Sequence, residues 1–252
     1  MGKNTKVVGV IPARYHSTRF EGKPLASLLG KPMIYHVYHN ARICRLLDEV
    51  VVATDDERIE KAVLDFGGKV ILTAKHHPTG TDRVAEAAGH FEADIVVNVQ
   101  GDEPLVDAHV LEELINPLLK DESVEVSNVI TEITNPGDFM DTTVVKAVRD
   151  LKGNLLFLTR APIPYPKTRQ NYVVFQHIGL YAFRKPFLLK FAKMKPTPLE
   201  LIEGIEFLRL IEHGYKVRAV LVEHRSIGVD TLSDLIEVEK IMKRNQNGKT
   251  EH

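Results

Sequence analysis

Val7-Val8-Gly9-Val10-Ile11 is an unbroken apolar run, and Pro12-Ala13-Arg14-Tyr15-His16-Ser17-Thr18-Arg19-Phe20-Glu21-Gly22-Lys23-Pro24-Leu25 follows it directly. Such a run, stopped by Pro12, reads as a strand buried on both faces. Parallel strands need a crossover between them, usually a helix. The sequence downstream supplies crossovers. Pro32 to Leu47 has helical apolar spacing, Glu49 to Thr54 is a second strand, and Asp56 to Phe66 is a helix closed by Gly67-Gly68. Lys69 to Thr73 reads as a third strand, Thr81 to Phe91 as a helix and Asp94 to Val99 as a fourth strand. This alternation predicts an α/β chain with an open, mostly parallel sheet and helices on both faces.

From Val124 the pattern changes. Val126 to Ile133, Val144 to Val148, Leu155 to Thr159 and His177 to Phe183 are strand-like and closely spaced. They predict a smaller, mixed β-rich region inserted after the parallel half. Helices return at Lys185 to Met194, Leu199 to His213 and Leu232 to Arg244, ahead of a polar tail at 245–252. The expectation is a single domain over 1–244, with a first half at about 6–123 and a second part at about 124–230.

The composition narrows the class. With 33 Lys+Arg against 34 Asp+Glu, the chain has no bulk charge that would attract nucleic acid or an anionic membrane. A lone Cys44 forbids an internal disulfide and a cysteine zinc site, and predicts a buried structural residue. No apolar run is long enough for a bilayer, and Met1 to Lys6 lead into the first strand with no signal-peptide core. The expectation is a cytoplasmic enzyme.

In open α/β sheets, ligands bind beyond the carboxyl ends of the strands. The loop after the first strand has neither G-x-G-x-x-G nor G-x-x-x-x-G-K-[ST], but it offers Arg14, Arg19 and Lys23. Two guanidinium forks and a mobile ammonium suit phosphate oxygens, although a solvated basic loop has the same composition. The loop after the fourth strand, Gln100-Gly101-Asp102-Glu103-Pro104, puts two carboxylates where a divalent cation such as Mg²⁺ could be held with phosphates. Asp230, before the last helix, is a second metal candidate. With Thr231 it could equally be a helix N-cap.

Several segments together resemble the 3-deoxy-manno-octulosonate cytidylyltransferase (CMP-Kdo synthetase) family. They are Ile11 to Leu25, Gly30 to Ile34, Val52 to Asp56, Thr79 to Arg83, Val97 to Pro104, Thr159 to Pro164, His177 to Tyr181, Pro198 to Glu200 and Gly228 to Thr231. Their order and spacing hold from about residue 6 to residue 244. The resemblance implies a nucleotidyltransferase-type fold with a mixed sheet, Mg²⁺ dependence, CTP as donor and a homodimer, with a nucleotide-binding half at about 6–123 and a sugar-binding and dimerisation part at about 124–230. By it, Arg14, Arg19 and Lys23 neutralise the departing pyrophosphate. Pro12, Ala13, the Thr79-Gly80-Thr81-Asp82 turn and Gln100 hold the nucleotide, and Asp102 and Asp230 share Mg²⁺. Arg160, His177, Tyr181 and Glu206 then line the pocket for a 2-keto-3-deoxy sugar acid. Taken alone, Arg160 could be a surface ion pair and His177 or Tyr181 a core residue.

Two departures stand out. Ile205-Glu206-Phe207-Leu208-Arg209 carries Phe207 where the family usually has a Gln that helps hold the sugar. Phe207 has no hydrogen-bonding group, so it is either core or a change in the pocket. Thr159 replaces a usual Ser and keeps the hydroxyl. Glu200, Glu203 and Glu206, three apart, are expected on one side of a single helix. The expected reaction is transfer of CMP from CTP to 3-deoxy-manno-octulosonate for a bacterial surface glycan. The alternatives are the same transfer to an amino-substituted or nine-carbon acid, or a non-catalytic nucleotide-binding protein. A sugar-1-phosphate nucleotidyltransferase fits less well, because its first loop is glycine-rich.

Overall fold

The computed structural model describes residues 5–17, 19–168, 172–223 and 227–248. In chain order the first elements are β1 (Val7–Ala13), β2 (Ser27–Leu28), β3 (Lys31–Pro32), α1 (Met33–Ile43), β4 (Glu49–Thr54) and α2 (Glu57–Asp65). There follow β5 (Lys69–Leu72), α3 (Gly80–Ala88), β6 (Ile95–Asn98), α4 (Ala108–Lys120), β7 (Val126–Glu132), α5 (Pro136–Met140), β8 (Lys146–Arg149) and β9 (Leu155–Thr159). The last are β10 (Phe175–Arg184), α6 (Lys185–Phe191), α7 (Pro198–Glu203), α8 (Leu208–Glu212), β11 (Arg218–Leu221) and α9 (Leu232–Gly248).

The chain divides into two compact units, each assembled from separate stretches. The first takes residues 6–92, 98–109 and the described chain from 227 onward; the second takes 93–97 and 110–223. These boundaries differ from the sequence division near 123, because the chain passes into the second unit for 93–97, returns for 98–109, leaves again at Val110 and rejoins the first unit from 227.

In the first unit β4 lies parallel to both β1 and β5, with Val10 opposite Val51 and Val52 opposite Val70. Val8, Val10 and Ile11 are fully buried, as a strand covered on both faces requires. The expected stop at Pro12 is overturned: β1 runs on through Pro12, opposite Ala53, to Ala13. A proline can hold a strand position where the ladder does not need its missing N–H. α2 starts at Asp56, whose carboxylate accepts from the Arg58 N–H, and α3 starts at a Thr79/Asp82 capping box. α9 closes the unit by packing Leu235 and Val238 with Leu28, Met33 and Val229 in one apolar cluster.

The second unit holds the expected β-rich region, and its strands are mixed. β10 runs antiparallel to β7 and β8, β8 antiparallel to β9, and β11 parallel to β7. The single helix expected over 199–213 is in fact two, α7 and α8. Gly204 sits between them with φ +65°, a left-handed geometry that ends a helix. Of the expected polar tail, residues 245–248 continue α9 and 249–252 lie outside the described residues. No described helix is long and apolar enough to cross a membrane.

Candidate active site

The first unit contains a cavity of about 200 Å³ at the carboxyl end of β1. It is built from the loop after β1, the start of α3 and the residues just before it, the loop after β6, and Asp230 ahead of α9. Of the residues expected to bind nucleotide or metal, Pro12, Ala13, Arg14, Arg19, Lys23, Thr79, Gly80, Gln100, Asp102 and Asp230 line it. Gly101 is required here, because a Cβ would come within 2.6 Å of the Pro12 carbonyl oxygen. That close approach brings the acidic loop onto the end of β1.

Lys23 is the hub. Its ammonium donates to Asp102 Oδ2 at 2.8 Å and to Asp230 Oδ1 at 3.3 Å, and the Arg19 guanidinium reaches Asp230 Oδ2 at 2.9 Å. The carboxylates after β6 and before α9 are therefore gathered by cations from the loop after β1. The N-cap question at Asp230 also resolves. Thr231 and Asp234 exchange the capping bonds, at 3.3 Å from Asp234 N–H to Thr231 Oγ1 and 2.7 Å from Thr231 N–H to Asp234 Oδ2. The Asp230 carboxylate is left facing Lys23 and Arg19.

Two nucleotide candidates do not face the cavity. Thr81 is fully buried and accepts from Asn98 Nδ2 at 3.0 Å, and Asp82 spends its carboxylate on Thr79 in the capping box. Five lining residues were not singled out as site candidates from the sequence: Ser17, Pro24, His77, Pro78 and Arg83. His77 pairs with Glu86. Arg83 is almost fully buried, meets Asp55 at 3.1 Å and donates to Thr73 Oγ1 at 2.6 Å. Burial lowers its pKa, and the Arg14 charge acts the same way against Asp55 and Glu86. Arg83 was legible as the end of the Thr79–Arg83 segment; no spacing marks His77.

Asp102 and Asp230 supply hard oxygen donors, the type Mg²⁺ prefers, and no group of three or more potential ligands occurs among the described residues. Two carboxylates completed by phosphate oxygens and water fit that ion, so the donor set suits a metal that comes with a nucleotide.

The four sugar candidates gather in the second unit. The Tyr181 hydroxyl lies 3.3 Å from His177 Nε2 on β10. Burial holds the His177 imidazole down at about 4, helped by the Arg160 charge, so it is neutral at pH 7. Burial pushes the Tyr181 hydroxyl well above its ordinary value, and the Glu206 charge adds to this. The Arg160 guanidinium is held by carbonyl oxygens, those of Glu203 at 2.9 Å and Thr142 at 3.0 Å. Its charge is thus oriented without being neutralised by those partners.

The expected row of three glutamates is overturned by the break at Gly204. Glu200 is buried against Arg209, at 2.8 Å from Nε, while Glu203 accepts from Thr159 Oγ1 at 2.5 Å and from the Arg160 N–H at 3.0 Å. Glu206 lies beyond the break. Phe207 is fully buried, stacked on Tyr181 with ring centroids 3.9 Å apart and edge-on to Phe183 at 5.7 Å. It is a core residue. Cys44 is buried, as expected.

A parallel α/β unit whose cationic loop after β1 meets paired carboxylates is the arrangement of a nucleotide-handling enzyme class, and the cytidylyltransferase family model matches residues 8–224. The chain belongs to the 3-deoxy-manno-octulosonate cytidylyltransferase family within that class. It is 46% identical over 252 residues to the 3-deoxy-manno-octulosonate cytidylyltransferase of Geobacter metallireducens, covering 96% of this chain and 99% of that one. It is also 46% identical to the enzyme of that name from Geotalea uraniireducens, with 95% and 98% covered. A solved structure of a CMP:2-keto-3-deoxy-manno-octonic acid synthetase complexed with CTP superposes with a TM-score of 0.92 at 38% identity, covering 96% of this chain and all of that one.

Proposed function

We propose that the protein transfers the cytidylyl group of CTP to the anomeric hydroxyl of 3-deoxy-manno-octulosonate, giving CMP-Kdo and pyrophosphate for lipopolysaccharide synthesis in the bacterial cytoplasm. The acceptor oxygen bonds to the α-phosphorus, the bond to the β-phosphate oxygen breaks, and the hydroxyl proton is released. Such transfers depend on positioning and charge neutralisation more than on covalent help from the protein.

Arg14, Arg19 and Lys23 receive the triphosphate, and Lys23 and Arg19 follow the charge onto the leaving pyrophosphate. Pro12, Ala13, Thr79, Gly80 and Gln100 form the wall for the nucleoside, with Thr81 and Asp82 shaping the turn from behind. Asp102 and Asp230 would hold Mg²⁺, which when bound would polarise the α-phosphate. In the second unit Arg160 takes the acceptor's carboxylate, and His177, Tyr181 and Glu206 its hydroxyls. A homodimer is the proposed assembly.

The observation that carries this reading is Lys23 held between Asp102 and Asp230 in one cavity with Arg14 and Arg19. The test is pyrophosphate release from CTP and Mg²⁺ against a panel of ulosonic acids. Turnover with the eight-carbon acid and little with nine-carbon or amino-substituted ones is expected. Turnover only with a relative would reassign the acceptor, and CTP binding without turnover on any acid would leave a binding protein.

A further inference from the structure

The cationic loop exposes Arg14, His16, Arg19 and Glu21, yet its described ends are tied to each other. The Gly22 N–H donates to the Tyr15 carbonyl at 2.8 Å, and His16 Nδ1 lies 3.1 Å from Glu21 Oε1. Gly22 has φ +68°, and the Tyr15 ring fills the space where its Cβ would be, at 3.1 Å. A face of that ring is covered from outside the loop: the Arg58 guanidinium carbon stands 3.2 Å from the ring centroid. Arg58 is itself fixed by a two-pronged contact to Asp56, at 2.9 Å to Oδ1 and 2.6 Å to Oδ2. The adjacent Asp55 meets Arg83 on another wall of the same cavity at 3.1 Å.

We infer that Arg58 is a positioning residue for the cytidylyl transfer: by clamping Tyr15 it holds the loop that presents Arg14, Arg19 and Lys23 to the triphosphate. Asp55 and Asp56, on one turn after β4, thus tie down two walls of the nucleotide pocket. A cation over an aromatic face and a planar fork on a carboxylate are both geometrically demanding contacts. A loop held in its bound shape loses less conformational entropy when the ligand arrives. The inference rests on reading the cavity as the CTP site.

The test compares Arg58→Met, Tyr15→Leu, the double variant and Tyr15→Phe. Arg58→Met keeps the backbone N–H that Asp56 accepts, so the start of α2 is preserved. The expected result is a rise of roughly three- to tenfold in KM for CTP with Arg58→Met. KM for the sugar acid and the thermal midpoint should stay at wild-type values. Tyr15→Leu should match it, the double variant should be no worse than either, and Tyr15→Phe, which keeps the ring, should behave as wild type. Amide hydrogen exchange across 14–23 should quicken in Arg58→Met without CTP present.

Wild-type KM for CTP in Arg58→Met, losses that multiply in the double variant, or a Tyr15→Phe as impaired as Tyr15→Leu would overturn the clamp. Calorimetric titration of the wild type separates the two readings. No CTP binding there would remove the site assignment, whereas CTP binding equal in wild type and Arg58→Met would remove only the clamp.

Discussion

Apart from the buried Arg83, the first unit leaves the charges of its cavity exposed or part-buried, with Arg19 and Lys23 balanced by Asp102 and Asp230, while the second buries Lys146 and Arg209 and fixes each by hydrogen bonds. Arg14 and Arg19 are exposed, and Lys23 and Arg19 share carboxylates that an incoming polyanion and cation could replace. In the second unit Lys146 is fully buried on the carbonyls of Asp141 and Val144 at 2.7 Å each, and Arg209 is buried on Glu200. Exposed ion pairs are worth little and exchange easily, whereas breaking a buried one strands a charge. Surface charge in this molecule is arranged to be exchanged, and buried charge to set shape.

The strongest way to break that contrast is Asp102→Ala. It should leave the fold intact by circular dichroism and lower pyrophosphate release by roughly a hundred- to a thousandfold. Substantial retained turnover would contradict the metal assignment. Lys23→Ala should weaken CTP binding about ten- to a hundredfold and CMP binding far less, because the lost charge faced the departing phosphates. Equal losses would make Lys23 a loop support.

The second unit should respond in stability first. Phe207→Gln places an amide among the Tyr181, Phe183 and Phe191 rings and should cost about 2–4 kcal/mol, lowering the thermal midpoint by about 5–10 °C. An undiminished midpoint with an altered KM for the sugar acid would move residue 207 from core to pocket.

The smallest effect concerns pH. His177 titrates near 4 in the folded chain against an ordinary 6.5. Between those values the unfolded chain binds a proton that the folded chain does not, so stability falls as pH drops through that window. His177→Asn should flatten that decline, seen as a midpoint gap to wild type that narrows on acidification. An unchanged slope would show that His177 is not held neutral.

What the sequence made legible was local. Val7 to Ile11 and Glu49 to Thr54 announced themselves because a strand covered on both faces needs consecutive apolar residues, and the loops following such strands carried Arg14, Lys23 and Asp102. α4 was missed although it is 13 residues long, since Pro117 inside it reads as a helix breaker. β11, only four residues, is too short to show a period. Gly204 was a local signal outweighed by the apolar spacing on either side of it. The grouping of residues into units was not legible, because it depends on which distant stretches pack together, and neither propensity nor period records that.

The return of the chain to its first unit has a consequence for synthesis. Leu28 and Met33 are translated early, but the Val229, Leu235 and Val238 side chains that cover them come some two hundred residues later. The Val229 N–H that bonds the Asp102 carbonyl at 2.8 Å comes with them, as does the second carboxylate of the charge cluster. Contacts so far apart in sequence form late. A nascent chain therefore carries its cationic loop and Asp102 long before Asp230 joins them, and a chain cut short ahead of Val229 would have most of the pocket's walls but neither the cover on that apolar cluster nor a complete set of acids.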